Sequence, residues 1–229
     1  MALYTIGDLH LSLAKEKPMD IFGDRWQNHT EKLRAAFQNL RDDDLTVLCG
    51  DLSWGMNLEE TAPDFHFVDG LPGKKVLLKG NHDYWWTTAA KTKKFFAEQG
   101  ITTIDILHNN AFFFGDWAIC GTRGWFYEEE RGGEHDAKIM RREIMRLETS
   151  LKAAGEHKKL VFLHYPPIYA NYRCEEILAL LKEHKVSLCC YGHIHGKGCA
   201  WAFNGWHEGT EFKLVSADAV NFTPVRLPF

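Results

Sequence analysis

Five short polar segments, each placed directly after an apolar run of the kind that forms a strand, constrain this chain most strongly. They are Gly7-Asp8-Leu9-His10, Cys49-Gly50-Asp51, Lys79-Gly80-Asn81-His82-Asp83, Leu163-His164-Tyr165-Pro166 and Tyr191-Gly192-His193-Ile194-His195. Side chains at the carboxyl ends of successive strands in an open α/β sheet converge on one crevice, even when they are distant in sequence. The order of these segments therefore predicts one polar cluster at one edge of such a sheet.

The spacing of apolar residues predicts alternating strands and helices in the first half of the chain. Strands are expected over 3–6, 46–49 and 75–79. Helices are expected over 30–40, 58–68 and 87–98, and the last of them should stop at Gly100. This alternation is typical of βαβ units.

The second half of the chain has a different pattern. Two apolar runs joined at Gly115-Asp116 predict an antiparallel hairpin over 111–121. A charged loop over 128–136 then leads into a long helix over 137–154, followed by a strand over 160–162, a helix over 174–184 and strands over 186–188 and 212–216, the last in the chain. The apolar stripe of the long helix consists of Ile139, Ile144, Leu147 and Leu151. Because no linker, repeat or low-complexity tract divides the sequence, a single domain over residues 1–229 is expected.

The composition is that of a soluble globular protein, with 45% hydrophobic and 25% charged residues. A net charge of −4 without a dense Lys/Arg block disfavours nucleic acids and anionic membranes as partners. No apolar run approaches ~20 residues, and a strand that starts at Leu3 leaves no room for a cleavable signal peptide, so a cytoplasmic location is expected. The six cysteines lack paired spacing and are expected to be free thiols rather than disulfides or a zinc knuckle.

The ordered set Asp-x-His, Gly-Asp, Gly-Asn-His-Asp, His and Gly-His-x-His resembles the calcineurin-like metallophosphoesterase family between Asp8 and His195. The resemblance implies an α/β fold, a four-layer α/β/β/α sandwich whose two mixed sheets pack face to face, with a metal site at the carboxyl ends of the strands. It also implies a binuclear centre bridged by Asp51. One ion would be held by Asp8, His10, Asp51 and His195, and the other by Asp51, Asn81, His164 and His193.

The chemistry of this ligand set fits the resemblance. Mixed imidazole and carboxylate ligands suit manganese, iron, zinc, cobalt or nickel, whereas an all-oxygen set would indicate magnesium or calcium. Two divalent ions outweigh the charge of two aspartates and a bridging hydroxide, so the centre keeps a positive charge for a phosphate anion. A water that bridges such ions is acidified and can attack phosphorus.

Four further residues are candidates for catalysis or substrate binding at this centre. By the resemblance, His82 protonates the leaving alcohol or binds the phosphate, and Asp83 is a candidate to orient it. Trp54 stands where the protein Ser/Thr phosphatase branch of the family has an aspartate paired with its catalytic histidine, which disfavours phosphoprotein substrates. Trp54 and Arg123 are candidate substrate contacts, although an ordinary surface salt bridge would also explain Arg123.

Aromatic residues cluster in three places, at Tyr84-Trp85-Trp86, at Trp125-Phe126-Tyr127 and over 201–206. Such rings can stack on a base or an aryl group beside the metals. Core packing is the alternative, and we expect it for most of them.

The leading hypothesis is a metal-dependent phosphomonoesterase or phosphodiesterase that acts on a small-molecule phosphate ester. One alternative is a nuclease of the same family. The net negative charge of the sequence and the lack of an added DNA-binding domain disfavour it. The other is a catalytically weak protein-binding scaffold on the same fold. Because all seven ligand candidates and His82 are present, the scaffold is also disfavoured.

Overall fold

Two sheets of mixed strand direction form the centre of the structure, a computed structural model that describes residues 1–15, 17–126 and 133–229. The strands of the first sheet are β1 (Leu3–Ile6), β2 (Leu45–Leu48), β3 (Lys74–Leu77), β4 (Ile104–Ile106) and β13 (Val225–Arg226). Those of the second are β5 (Phe112–Phe114), β6 (Trp117–Thr122), β7 (Lys158–Leu163), β10 (Leu188–Tyr191), β11 (Gly205–His207) and β12 (Thr210–Leu214). A separate two-stranded pair consists of β8 (Ile168–Tyr169) and β9 (Tyr172–Arg173).

Parallel strands form most of each sheet, and every antiparallel strand lies at an edge. The first sheet has the order β13-β1-β2-β3-β4, and only β13 runs antiparallel to its neighbour. The second has the order β11-β12-β10-β7-β6-β5, with β11 and β5 antiparallel. The parallel strands of both sheets therefore bring their carboxyl ends to defined edges, where ligand side chains can gather.

Helices connect the strands and cover the outer faces of the sheets. They are α1 (His29–Phe37), α2 (Leu58–Asp69), α3 (Ala89–Gln99), α4 (Glu134–Ala153) and α5 (Glu175–Glu183). Short 3₁₀ helices lie at Met19–Phe22, Asp24–Trp26 and Gly196–Trp201. Among the described helices, none has both the length and the hydropathy that a membrane span requires.

Three buried clusters show how these elements are layered. The central cluster joins residues of the first sheet, such as Leu3 and Val47, to residues of the second, such as Leu160. Because strand side chains alternate between faces, the next residues along β2 and β7 point the other way. Leu48 packs with α1, α2 and α3, and Val161 packs with α4 and α5. The order of layers is thus helices, sheet, sheet, helices, as the resemblance implied.

Most of the predicted elements are confirmed with small shifts of their ends. The hairpin at Gly115-Asp116 is present as β5 and β6, and α3 ends at Gly100 with a left-handed φ of 69°. All six cysteines are free thiols, as expected. The long helix begins at Glu134, earlier than predicted, because acidic residues in a first turn are stabilised by the helix dipole. The rest of the predicted charged loop, up to residue 132, lies outside the described residues.

The last predicted strand, over 212–216, was wrongly placed at the end of the chain. It exists as β12, but β13 follows it and pairs with β1, as shown by the register of Tyr4 with Arg226. The strands β4, β8, β9 and β11 were also not predicted. Each of these unpredicted strands has only two or three residues, too few to show a repeating apolar pattern.

Candidate metal centre

All seven predicted ligand residues lie in one cluster at the carboxyl ends of five strands. Asp8 and His10 follow β1, Asp51 follows β2 and Asn81 follows β3 in the first sheet. His164 follows β7, and His193 and His195 follow β10, in the second sheet. The cluster therefore lies where the two sheets meet.

Backbone hydrogen bonds hold the ligand loops of the first sheet against each other. The amide of Asp8 donates to the carbonyl of Gly50 at 2.9 Å, and the amide of His10 donates to the carbonyl of Asp51 at 3.0 Å. Asp8 also links the two sheets, because its carboxylate oxygens accept the amide of His193 at 3.0 Å.

Four of the ligand residues have a left-handed backbone, which is uncommon outside glycine. The φ angles are 59° at Asp8, 46° at His10, 51° at Asp51 and 72° at His193. Such a conformation costs of order 1–3 kcal/mol per residue, and it persists only where the surroundings enforce it. The concentration of these residues in one cluster marks it as a functional site.

Glycines beside the ligands allow the close approach of these loops. A Cβ atom at Gly80 would clash with Oδ1 of Asp51, and one at Gly192 would clash with Oδ2 of Asp8. A Cβ atom at Gly50 would lie 2.7 Å from the Cα of Gly80. The glycines of the Gly-Asp, Gly-Asn-His-Asp and Gly-His-x-His segments are thus required by packing.

One group of potential ligand atoms belongs to Asp8, His10 and His195, and these atoms all lie within 4.8 Å of one another. The Nε2 atoms of His10 and His195 are 3.4 Å apart, and Nε2 of His195 is 3.5 Å from Oδ1 of Asp8. Asp8 and His10 are buried, with exposures of 0% and 3%. Two imidazole nitrogens and a carboxylate oxygen that converge in this way suit a transition-metal ion.

A second group consists of Asp8, Asp51 and His164. Nδ1 of His164 is hydrogen-bonded to the carbonyl of Cys49 at 3.0 Å, which leaves Nε2 as its ligand atom. That Nε2 lies 2.6 Å from Oδ1 of Asn81 and 3.6 Å from Oδ2 of Asp51. Nδ1 of His193 lies 2.9 Å from the same Asn81 oxygen.

Asp51, a member of the second group, also lies next to His10 of the first. Its Oδ2 is 3.8 Å from Nε2 of His10 and 3.6 Å from Nε2 of His164. Asp8 is common to both groups, but its contact with His164 is 3.7 Å to Nδ1, the nitrogen that bonds the Cys49 carbonyl. Oδ2 of Asp51 therefore lies within 4 Å of Nε2 of one histidine in each group.

Metal binding requires neutral imidazoles, and three of the four ligand histidines meet this condition. His195 is the exception, because, although burial opposes it, the charges of Asp8 and Asp218 raise its pKa to about 10, so an ion has to displace its proton. Burial lowers the pKa of His10 and His164, and it lowers the pKa of His193 to about 3. Burial and the charge of Asp8 raise the pKa of Asp51, because two buried carboxylates destabilise each other in their charged forms. Cations between these carboxylates would remove that penalty, so the donor set fits divalent ions.

Asp218 is a residue of this site that the sequence analysis missed. Its buried carboxylate accepts a hydrogen bond from Nδ1 of His195 at 2.7 Å and from the amide of Gly196 at 2.8 Å. It follows β12 by four positions, so the rule that placed the ligands after strands would have found it. No family motif contains it, and for that reason it was passed over.

His82 lies beside the ligand cluster and packs against Trp54. The ring centroids of these two residues are 4.4 Å apart, and Trp54 is also stacked on His10 at 4.9 Å. Nδ1 of His82 is 3.2 Å from the hydroxyl of Tyr84, and its amide donates to Oδ1 of Asp51 at 2.7 Å. Burial lowers the pKa of His82 to about 4.

The Asp83 carboxylate is fully buried and bonds the backbone around the ligands. Its Oδ2 accepts the amides of Asp51 and Gly80 at 2.9 and 2.7 Å. Its Oδ1 accepts the amide of Leu52 at 2.9 Å and the indole of Trp85 at 3.0 Å. These bonds brace the loops that carry Asp51 and Asn81. The predicted orientation of His82 by Asp83 stays a prediction.

Arg123 lies next to the ligand cluster and supports it through its backbone. Its carbonyl accepts the amides of His164 and Tyr165 at 3.1 and 2.9 Å. Its guanidinium is 3.5 Å from the carboxylate of Glu143 and lies over the ring of Trp125. The salt-bridge alternative for this side chain is therefore present, with a buried partner.

The predicted aromatic clusters have different environments. Trp85 is fully buried in the core, as expected. Trp201 and Trp206, in contrast, are 68% and 69% exposed, so core packing was the wrong expectation for them. They belong to a 3₁₀ helix and to the edge strand β11, where one side of the backbone faces solvent. Tyr127 lies outside the described residues.

A cavity of about 270 Å³ opens next to the ligand cluster. His10, His82 and His195 form its polar side. The rest of its lining consists of apolar or aromatic side chains and one glycine, namely Met19, Phe22, Trp26, Trp54 and Gly196. The site therefore combines metal-binding groups with an apolar wall, a combination typical of small-molecule pockets.

Comparisons with known proteins agree with this geometry. A family model described as calcineurin-like phosphoesterase matches residues 1–197. No curated protein matches the chain by sequence.

Solved structures share the fold at low sequence identity. Phosphopantetheinyl hydrolase (PptH) from Mycobacterium tuberculosis is similar with a TM-score of 0.60 and 12% identity, over 99% of this chain and 95% of that one. TT1561 from Thermus thermophilus is similar with a TM-score of 0.55 and 14% identity, over 85% and 82% of the two chains. AQ665 from Aquifex aeolicus, a protein of unknown function, is similar with a TM-score of 0.52 and 15% identity, over 98% and 95%.

Proposed function

We propose that this chain, which belongs to the calcineurin-like phosphoesterase family, hydrolyses a small-molecule phosphate mono- or diester at a centre of two divalent metal ions. Membership of the family makes the chain a metal-dependent hydrolase of phosphoric ester bonds. The observation that carries the finer proposal is the position of Asp51, whose Oδ2 lies 3.8 and 3.6 Å from histidine nitrogens on either side.

The ligands divide into two sets on the contacts described above. We assign Asp8, His10, Asp51 and His195 to one ion, and Asp51, Asn81, His164 and His193 to the other. The histidines favour manganese, iron, zinc, cobalt or nickel over magnesium or calcium. When bound, such a pair of ions supplies an acidified water and stabilises the charge on the phosphoryl oxygens.

His82 is the group that we assign to the leaving alcohol or to the phosphate. It is not one of the ligands, yet its amide bonds the bridging Asp51 and its ring lies against Trp54. Burial lowers its pKa to about 4, which leaves it neutral at neutral pH. The negative charge of a bound phosphate ester would raise that pKa and favour the protonated form that a general acid requires.

The apolar wall of the cavity indicates the kind of alcohol that leaves. Met19, Phe22, Trp26 and Trp54 offer an apolar and aromatic surface beside the ligands. A volume of about 270 Å³ suits a small organic group. We therefore favour esters of apolar or aromatic alcohols, and Trp54 is the residue best placed to contact such an alcohol.

A substrate screen with the metal-reconstituted protein tests this proposal. The panel contains para-nitrophenyl phosphate, its bis ester, thymidine monophosphate para-nitrophenyl ester, nucleotides, and a phosphopantetheinyl ester because of the fold shared with PptH. We expect metal-dependent turnover of at least one ester by the wild type. The matched control is Asp42→Asn at an exposed position, which should keep the activity that Asp51→Asn loses.

Elemental analysis after reloading with manganese tests the binuclear centre separately. We expect close to two ions per chain, because the seven donor residues exceed what one ion can coordinate. A plateau at one ion or below would contradict the binuclear assignment, whatever the substrate screen shows.

A further inference from the structure

A second cavity, of about 380 Å³, opens beside the metal centre between the start of α3 and the side of α4. The polar side chains that line it include Lys79, Thr88, His108, Arg123, Glu143 and Arg146. Lys79 lies two positions before the ligand Asn81, and the carbonyl of Arg123 accepts the amide of the ligand His164. The cavity therefore shares backbone segments with the metal centre.

Positive charge exceeds negative charge in this cavity. Lys79, Arg123 and Arg146 line it, against the single carboxylate of Glu143. That carboxylate is already bonded: Oε2 accepts the Thr122 hydroxyl at 2.5 Å, and Oε1 accepts from Arg146 at 2.6 Å and from Arg123 at 3.5 Å. The buried Glu143 therefore positions the two guanidinium groups but cannot balance all three cations.

One cation of the cavity lining has no acceptor among the described residues. The ammonium of Lys79 makes no hydrogen bond or ion pair there, although the residue is half-buried. This ammonium is therefore available to an anion that occupies the cavity.

The start of α3 adds to the same electrostatic preference. Thr88 and Ala89, at the first turn of this helix, line the cavity. Backbone amides of a first turn lack partners inside the helix and carry the positive end of its dipole, which favours anions. Planar guanidinium groups, an ammonium and a helix start together suit the tetrahedral oxygens of a phosphate.

We propose that this cavity binds a phosphate group of the substrate other than the one that is hydrolysed. The substrates would then carry two phosphate groups, one at the metal centre and one between Lys79, Arg123 and Arg146. This inference rests on the proposed function for the position of the cleaved ester.

Binding of inorganic phosphate to the metal-loaded protein, measured by isothermal titration calorimetry, tests the cavity. The variant is Lys79→Gln, which removes the charge, shortens the side chain by one bond and breaks no hydrogen bond or ion pair of the described residues. We expect it to weaken one class of phosphate site by roughly tenfold or more, since charged hydrogen bonds of this kind are worth about 1.5–3 kcal/mol. The control is Lys94→Gln on the exposed face of α3, which should bind phosphate like the wild type. Identical binding by the wild type and Lys79→Gln would overturn the phosphate site.

Turnover of matched substrates tests the role of this phosphate in the reaction. Alkanediol bisphosphates of increasing chain length are compared with the monophosphates of the same diols. We expect the wild type to prefer bisphosphates, by a lower KM, over one range of lengths, and Lys79→Gln to lose that preference. If the wild type does not prefer the bisphosphate over the monophosphate at any chain length, the second phosphate has no role in substrate binding. A failure to hydrolyse any ester would instead contradict the proposed function. The calorimetric comparison would still show whether the cavity binds phosphate.

Discussion

Nδ1 of His195 donates a hydrogen bond to Oδ1 of Asp218 at 2.7 Å. This bond fixes which ring nitrogen carries the proton, and it leaves Nε2 of His195 facing His10 and Asp8. Although burial opposes it, the charges of Asp8 and Asp218 raise the pKa of His195 to about 10. A carboxylate behind a ligand histidine increases its basicity and holds its orientation, so Asp218 belongs to the metal centre in function.

Asp218→Asn should weaken metal binding without removing a ligand. Partners of this kind typically contribute 10–100-fold to metal affinity, and we expect a loss in about that range. Competition with a chelator of known affinity measures it, with the exposed Asp42→Asn as the control. An unchanged affinity in Asp218→Asn would show that the hydrogen bond to His195 is dispensable.

Asp51→Asn should reduce activity more than any other single ligand substitution. Its carboxylate is the only one that we assign to both ions, so the change removes charge from both at once. Metal content and turnover are measured side by side for the seven ligand variants. A larger loss in Asp8→Asn would transfer the bridging role to Asp8, which is shared by the two ligand groups in the structure.

His82→Ala should retain metal and lose turnover. The expected loss is roughly 10²–10⁴-fold if the residue acts as general acid. Metal content and kcat are measured together, and His66→Ala on the exposed face of α2 is the control. A variant that loses metal but keeps its rate per bound ion would make His82 a structural residue.

Asp83→Asn should destabilise the fold. The amide group of asparagine can keep one acceptor, but its NH₂ would face donors, namely either the amides of Asp51 and Gly80 or the amide of Leu52 and the indole of Trp85. We expect the free energy of unfolding, measured by urea denaturation, to fall by about 2–4 kcal/mol. Full stability with lost turnover would support a catalytic role for Asp83 instead.

Lys75 should make the stability of the protein depend on pH in the alkaline range. Its side chain is 1% exposed and donates to the carbonyl of Leu71 and the hydroxyl of Thr103. Burial lowers its pKa from 10.5 to about 8. Between these values the unfolded chain holds a proton that the folded chain has released, so the folded state gains stability as the pH rises.

Comparison with Lys75→Met isolates this effect. The free energy of unfolding of the wild type minus that of the variant should increase by roughly 1–3 kcal/mol between about pH 8 and about pH 10.5. The exposed neighbour provides the control, because Lys74→Met should show a constant difference. A constant difference for Lys75→Met as well would mean that this lysine stays protonated in the fold.

The convergence of the seven candidate ligand residues could be predicted because their placement follows local rules. Each lies directly after an apolar run. Parallel strands bring such positions to one edge of the sheet, regardless of the length and conformation of the connecting loops. Asp83 was recognised as part of a motif, but its bracing of the Asp51 and Leu52 amides was not predicted. Its acceptor bonds join segments about thirty positions apart, and no local pattern reports such pairing.

The sequence by itself determined the layered α/β fold and indicated the seven candidate ligand residues and the neighbouring His82, because strand periodicity and motif order are properties of the chain. Only the tertiary structure decided that Asp218 bonds His195, that Lys79 and Arg146 face one cavity, and that β13 completes the first sheet. These relationships join residues that are distant in sequence, and they arise from how the layers pack. The physical reason is that burial and charge pairing depend on neighbours in space, which the order of residues along the chain does not specify.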